Sequence, residues 1–342
     1  MKLISFAVPS YNSQDYLRHC VDTLLSGGED VEILIINDGS TDTTAAIADE
    51  YAQAHPTIVK AVHKPNGGHG SGVNRGVQEA GGLYYKVVDS DDWVNEAALR
   101  QLLDTVKAHM EQDTLPDLYI TNFIYDHTCD GTRFRRHWKR QFTPNAFHSW
   151  DDAGCFRGAQ VLLMHSLMYK TERLRESGLV LPEHTFYVDN LFAYQPLPLM
   201  EKIFYLDVDL YHYFIGRDDQ SVNIKNFTRR YDQQIRVMDL MARAYSYEYI
   251  MTLKKPLRRY MLHCLSAIMV NTMLFCCAGG SEQERIAAHD ALWDGIRSRD
   301  PLLYRHLARR SMPALVLWMP WKLRGAIMLL CYKILCGTVK LG

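Results

Sequence analysis

The sequence predicts an α/β fold: a Rossmann-like, mostly parallel sheet with flanking helices, followed by a helical region. Three observations carry this prediction. Over the first 125 residues, short apolar β-branched runs alternate with segments of helical periodicity. The polar motifs fall where those runs end. From about residue 223 the pattern is helical nearly to the C-terminus. Such βαβ alternation builds parallel sheets through right-handed crossovers. Ligands of such sheets bind outside the carboxyl ends of the strands.

The elements follow in order. "LISFAV" (3–8) is a short apolar strand, and residues 14–26 place Leu17, Val21, Leu24 and Leu25 on one helical face. "VEILIIN" (31–37) is apolar and β-branched enough for a central strand. "DGSTD" (38–42) then turns into an alanine-rich helix, 43–54. Next come strand 58–64, a glycine-rich turn (66–72), helix 73–80, strand 83–88, helix 95–109 and strand 117–123. Residues 126–150, basic and aromatic without clear periodicity, read as a loop excursion over the sheet. Two regions result: 1–222, carrying the motifs, and 223–342, helical.

Composition bounds the function. With 47% hydrophobic and 23% charged residues a sizeable core forms, and a net charge of -1 argues against nucleic-acid binding. "MKLISFAVPSYN" reads as no export signal, because Pro9 and Asn12 interrupt a short apolar run. A cytoplasmic chain keeps its thiols reduced, and the eight cysteines fit no strong zinc spacing, so they read as core residues.

The chemistry concentrates in "VVDSDDW" (87–93), where Asp89, Asp91 and Asp92 crowd together after a buried strand. A helix N-cap accounts for one or two of these acids. A divalent cation site accounts for their alternation, because Mg²⁺ or Mn²⁺ binds one or two carboxylates plus substrate phosphate oxygens. "INDGSTD" follows the second strand, and "VPSYN" ends the first, where Tyr11 could flank a base.

"VPSYN", "INDGSTD", "NGGHGSGVNRG" and "VVDSDDW", in this order and spacing, resemble the family 2 glycosyltransferases of GT-A fold. "LPEHTFYVDNLFAYQ" (181–195) and "LYHYFIGRDDQSV" (210–222) extend the resemblance to residue 222. It implies inverting transfer of a sugar from a nucleotide-sugar donor, a UDP-sugar, to a glycan or lipid-linked acceptor, as in bacterial surface-polysaccharide assembly. Asp38 would then meet uracil, with Pro9, Tyr11 and Asn66 framing the donor. Asp89 and Asp91 would hold Mg²⁺ or Mn²⁺, Asp89 lying also near the ribose, while Asp92 supports them or starts the next helix. Asp189 takes the family's general-base position, and its bland alternative is a helix N-cap; Glu183 is the second candidate base. Arg217, Gln220 and Ser221 lie in a polar loop suited to covering a diphosphate.

Two departures stand out. The family's usual Glu-Asp is Val188-Asp189 here, and its usual arginine is absent from the third motif, where Arg75 is the available substitute. His69 reads either as a donor-sugar contact or as a turn residue, and His212 as facing either the site or the core. These departures leave room for a non-catalytic GT-A partner of another transferase. A nucleotidyltransferase is disfavoured, because "VPSYNSQDY" lacks a glycine-rich basic loop after the first strand.

From Pro301 to Gly342 there is no Asp or Glu but seven Lys or Arg, with Trp318 and Trp321 among Leu, Val and Met. A basic, tryptophan-bearing amphipathic segment suits peripheral contact with an anionic membrane, at the cytoplasmic face; packing on the domain is the alternative. "YMLHCLSAIMVNTMLFCCAGGS" (260–281) is long enough to span a bilayer, but His263, Asn271 and Thr272 favour a buried core helix.

Overall fold

The computed structural model describes residues 1–127, 131–216, 229–278 and 282–339. They form two compact units: Met1–Ala153 with Leu162–Phe214, and Gly154–Val161 with the chain from Ile215 onward. Arg217, Gln220 and Ser221 lie outside the described residues, as does the expected boundary at 222.

The first unit is built on a curled sheet. Strands β1 (Ile4–Ser10), β2 (Val31–Asp38), β3 (Val59–Lys64) and β4 (Tyr84–Val87) stand in the order β3-β2-β1-β4, all parallel. Every residue of β1 and β4 is buried, Lys86 included, whose ammonium donates to the His165 carbonyl at 2.7 Å. Helices α1 (Leu17–Leu25), α2 (Thr44–Ala54), α3 (His69–Glu79), α4 (Glu96–Glu111), α5 (Thr171–Glu176) and α6 (Asp189–Tyr194) belong to this unit.

Beyond β4 the sheet continues through β9 (Leu167–Lys170) and β6 (Leu118–His127), each joined antiparallel to its neighbour. β10 (Ile203–Ile215) then carries β5 (Trp93–Val94) antiparallel at Tyr211↔Val94. The five residues 88–92 therefore run from the parallel half to β10, and both ends of the acidic motif are pinned by sheet hydrogen bonds.

Three expectations change. The basic excursion is not a plain loop: β7 (Thr132–Arg136) pairs antiparallel with β6, and β8 (Ala146–His148) pairs with β10. The glycine-rich stretch is not a turn, because α3 begins at His69. Its glycines, poor helix formers in isolation, are required by close approach. A Cβ on Gly70 would stand 2.7 Å from the Pro182 carbonyl oxygen, and one on Gly72 2.9 Å from the Pro9 Cβ. Finally, Asp92 does not start the next helix. Asn95 caps α4 instead, its side chain accepting the Ala98 N–H at 2.9 Å.

The second unit is helical among its described residues: α7 (Tyr231–Ala244), α8 (Tyr247–Thr252), α9 (Lys255–Ala278), α10 (Glu282–Arg299), α11 (Pro301–Arg310), α12 (Ala314–Leu317) and α13 (Trp321–Val339). By length and composition Lys255–Cys277 could cross a membrane, but it is mostly buried, with Met261, Leu265, Met269 and Met273 in the unit's core. Cys264 and Cys276 are buried there too, and Cys20 in the first unit. Cys155 is exposed, unlike the expected core thiol.

Candidate active site

The site grows from the carboxyl ends of the parallel strands. Pro9 lies buried near the end of β1, and Tyr11 follows it, about half exposed. Asn12 adopts the left-handed region (φ 49°), which asparagine tolerates better than most residues. That turn lets its Oδ1 accept the Thr41 N–H at 2.8 Å while its own N–H donates to Ser40 Oγ at 3.0 Å. The loops after β1 and β2 are thus stitched together beneath Tyr11.

Asp38, 2% exposed, spends its carboxylate on the chain beyond β3 rather than on a helix cap or an Asx turn. Its Oδ1 accepts from Lys64 Nζ and from the Gly67 N–H (2.9 Å), and its Oδ2 from the Gly68 N–H (2.7 Å). Asn66, exposed, donates from Nδ2 to the Asp38 carbonyl at 2.9 Å. Asp38 therefore clasps the loop that leads into α3. Arg75 does not replace the missing arginine, since it forms a surface pair with Glu79 one helical turn on (2.6 Å).

The three acids after β4 have three different environments. Asp89 Oδ1 lies 2.7 Å from His69 Nε2. Burial works against the Asp89 charge, but His69, by charge and hydrogen bond, and His165 hold its pKa below the ordinary carboxylate value. Asp92, 1% exposed, accepts the Tyr211 hydroxyl on Oδ2 and the Phe214 N–H (2.8 Å) on Oδ1. Burial first, then Asp91 and Asp89, push its pKa well up, so Asp92 takes up a proton more readily than Asp89. Asp91 is half-buried, and its charge acts on His69. For His69, burial opposes protonation; Asp89, then Asp189 and Asp91, outweigh it and raise the pKa. The crowding in "DSDD" is thus eased from within the chain, by a histidine beside Asp89 and by donors to both oxygens of Asp92.

Two of these acids have the donor chemistry of a hard divalent cation site. Asp89 and Asp91 offer carboxylate oxygens at the half-buried mouth of the strand, the donor type Mg²⁺ and Mn²⁺ take. Ligand atoms of Asp89, Asp92 and His165 also come within 4.8 Å of one another. That trio suits a cation less well. Both Asp92 oxygens already accept hydrogen bonds, and the His165 ring is stacked 4.8 Å from both Tyr211 and Tyr213 in the core.

Asp189 is the first residue of α6 (Asp189–Tyr194), but the N-cap position is Val188, without a side-chain cap bond. Burial raises the Asp189 pKa to about 6; His69 lowers it, Asp89 raises it, and its own and Asn190's backbone N–H lower it. The segment before it is locked to α3. Asn74 exchanges two hydrogen bonds with the Leu181 backbone (2.8 and 2.9 Å), and the His184 N–H donates to the Gly67 carbonyl (2.7 Å). His184 and Tyr187 take positive φ (46° and 65°), strain that this clamping sustains. Glu183 is exposed and accepts the Ser71 hydroxyl at 3.1 Å. Val188, where an acid was expected, is 1% exposed, and a Cβ on Gly70 would lie 3.5 Å from its Cγ2.

His212 faces the core: Nδ1 lies 3.0 Å from Asp126 Oδ2, and its ring stacks on Trp93. The roles of Lys64, Asn74 and Tyr211 are not legible in the sequence, because each acts across at least 26 positions of chain.

A parallel half-sheet with neighbouring acids after its fourth strand, and a half-buried carboxylate on α6 that feels the charge of Asp89, has the GT-A architecture. Residues 5–167 match the family described as "Glycosyl transferase family 2". Residues 5–167 thus carry the family 2 glycosyltransferase match, and the fold is of GT-A type. It is 26% identical over 238 residues to the putative glycosyltransferase EpsH of Bacillus subtilis, covering 68% of this chain and 64% of that one, less than two thirds of the relative's length. The crystal structure of S. aureus TarS 1–349 superposes with a TM-score of 0.64 at 20% identity, covering 96% of this chain and 89% of that one. The same protein in complex with UDP-GlcNAc gives a TM-score of 0.52 at 18% identity, covering 88% and 93%.

Proposed function

We propose that this protein transfers a sugar, with inversion, from a UDP-sugar to a hydroxyl of a glycan or lipid-linked acceptor in surface-polysaccharide synthesis. The observation that carries the reading is the pairing of Asp89 and Asp91 with Asp189, a carboxylate whose pKa burial lifts to about 6. Uracil lies against Pro9 and Tyr11, on a floor set by Asp38 through Gly67 and Gly68, with Asn66 at its edge. Asp89 and Asp91 would hold Mg²⁺ or Mn²⁺, which when bound supplies positive charge against the diphosphate leaving group. Asp189 accepts the acceptor hydroxyl's proton as that oxygen attacks the anomeric carbon, opposite the diphosphate. Arg217, Gln220 and Ser221 are assigned to the diphosphate from the sequence alone. The UDP-GlcNAc complex of the structural neighbour supports a UDP-linked donor.

We further propose peripheral contact with an anionic membrane at its cytoplasmic face, supported by exposed apolar and basic residues in the C-terminal helices. Leu315, Trp318, Leu323 and Leu330 are 51–75% exposed, and Arg305, Arg309, Arg310 and Lys322 are exposed in the same stretch. The test of the catalytic reading is hydrolysis and transfer with a panel of UDP-sugars, with and without Mn²⁺. Turnover that vanishes on chelation and needs more metal in Asp91→Asn is expected. Metal-independent turnover, or an Asp91→Asn variant with unchanged metal dependence, would overturn the assignment.

A further inference from the structure

His69 stands between the two halves of this site. Its Nε2 meets Asp89 Oδ1 at 2.7 Å, and its side chain is 32% exposed, so it is neither core filling nor a solvated turn residue. The glycines on either side fix its place. Gly68 (φ +82°) puts the α3 start against the His184 backbone, where a Cβ would stand 3.1 Å from the His184 nitrogen. Gly70 opens the other side to Pro182 and Val188, the residue before Asp189. The imidazole is thereby wedged between the acids after β4 and the segment that carries the base, and it feels the charges of Asp89, Asp189 and Asp91 together.

In a single displacement the leaving diphosphate, the anomeric carbon and the attacking oxygen lie in line. A donor whose diphosphate is at Asp89 and Asp91, attacked by a hydroxyl at Asp189, must carry its sugar past whatever lies between. We propose that His69 is a contact for the transferred sugar, reading one of its ring hydroxyls while staying tied to Asp89. This rests on the donor reading above. It makes His69 a specificity-determining residue of the donor site.

The test is calorimetric, on the full chain with Mn²⁺ present, using UDP, UDP-GlcNAc, UDP-glucose and UDP-galactose as probes. Wild type binds at least one UDP-sugar more tightly than UDP. His69→Ala keeps its affinity for UDP within about twofold but weakens that sugar nucleotide about tenfold, the effect of losing one hydrogen bond. His69→Gln, which can still donate, falls between. Mn²⁺ binding measured without nucleotide checks that Asp89 is undisturbed. A parallel loss of UDP and UDP-sugar would overturn the proposal, since His69 would then act only through Asp89. So would unchanged sugar affinity in His69→Ala, or a wild type that holds UDP but gains nothing from any sugar. A wild type that binds none of the four would overturn the donor reading itself, and the His69 proposal with it.

Discussion

Replacing Asp189 with asparagine separates the base from the donor site, and two of its consequences can be worked from the structure. The first is kinetic. A positioned general base contributes roughly 10²- to 10⁴-fold, so Asp189→Asn should lose transfer by that factor while UDP binding stays. Wild type should also betray the base in its pH profile. With a pKa near 6 only roughly a tenth of Asp189 is ionised at pH 5, whereas an aspartate at the ordinary 3.8 would be more than about nine-tenths ionised. The kcat/KM of wild type should therefore fall about tenfold per pH unit below 6.

The second consequence is thermodynamic. The folded pKa lies above the unfolded one, so the folded state loses stability as pH rises through about 6, and the penalty is absent below 3.8. The displacement from 3.8 to about 6 is worth at most about 3 kcal/mol. Solvent at the half-buried side chain reduces this to roughly 1–2 kcal/mol. The neutral asparagine removes the penalty, so the variant should melt higher than wild type at pH 8, with the gap closing at pH 4. Thermal melts at both pH values and initial-rate kinetics from pH 5 to 8 measure both effects. Transfer within threefold of wild type, or a rate that stays flat to pH 5, would refute Asp189 as base and move the role to Glu183. An equal melting difference at both pH values would refute the burial argument.

Other perturbations test the supports. Gly70→Ala should destabilise by about 1–3 kcal/mol in chemical denaturation and depress transfer, because its Cβ lands 2.7 Å from backbone that cannot yield. Gly81→Ala, whose Cβ would stand 3.5 Å from the nearest atom, should leave both unchanged. For the C-terminal helices, Leu315→Ser with Trp318→Ser should cut co-sedimentation with phosphatidylglycerol vesicles at least about tenfold, as two exposed apolar anchors are lost. Unchanged binding would remove the membrane reading.

Much of this was legible in the sequence, because it is local. Continuous apolar runs such as "VEILIIN" have few ways to be buried, and polar motifs that end them must emerge at the strand ends. Asp89 and Asp91 are placed at a strand end that way, whereas Asp189 is named only by the family resemblance. Helix boundaries failed at "GGHGSG", because propensity disfavours glycine in a helix unless another backbone needs the space. Here Pro182 and His184, more than 100 positions away, need it.

Tertiary structure alone decided how the charges are shared. One chain segment lists three equivalent acids. Their neighbours make two of them unequal, with His69 beside Asp89 and with Tyr211 and the Phe214 N–H on Asp92; a hundred positions on, burial sets Asp189 apart from an ordinary aspartate. Sequence order names the ionisable groups, but a pKa depends on burial and on charges a few ångströms away, and those distances are set when remote parts of the chain pack together.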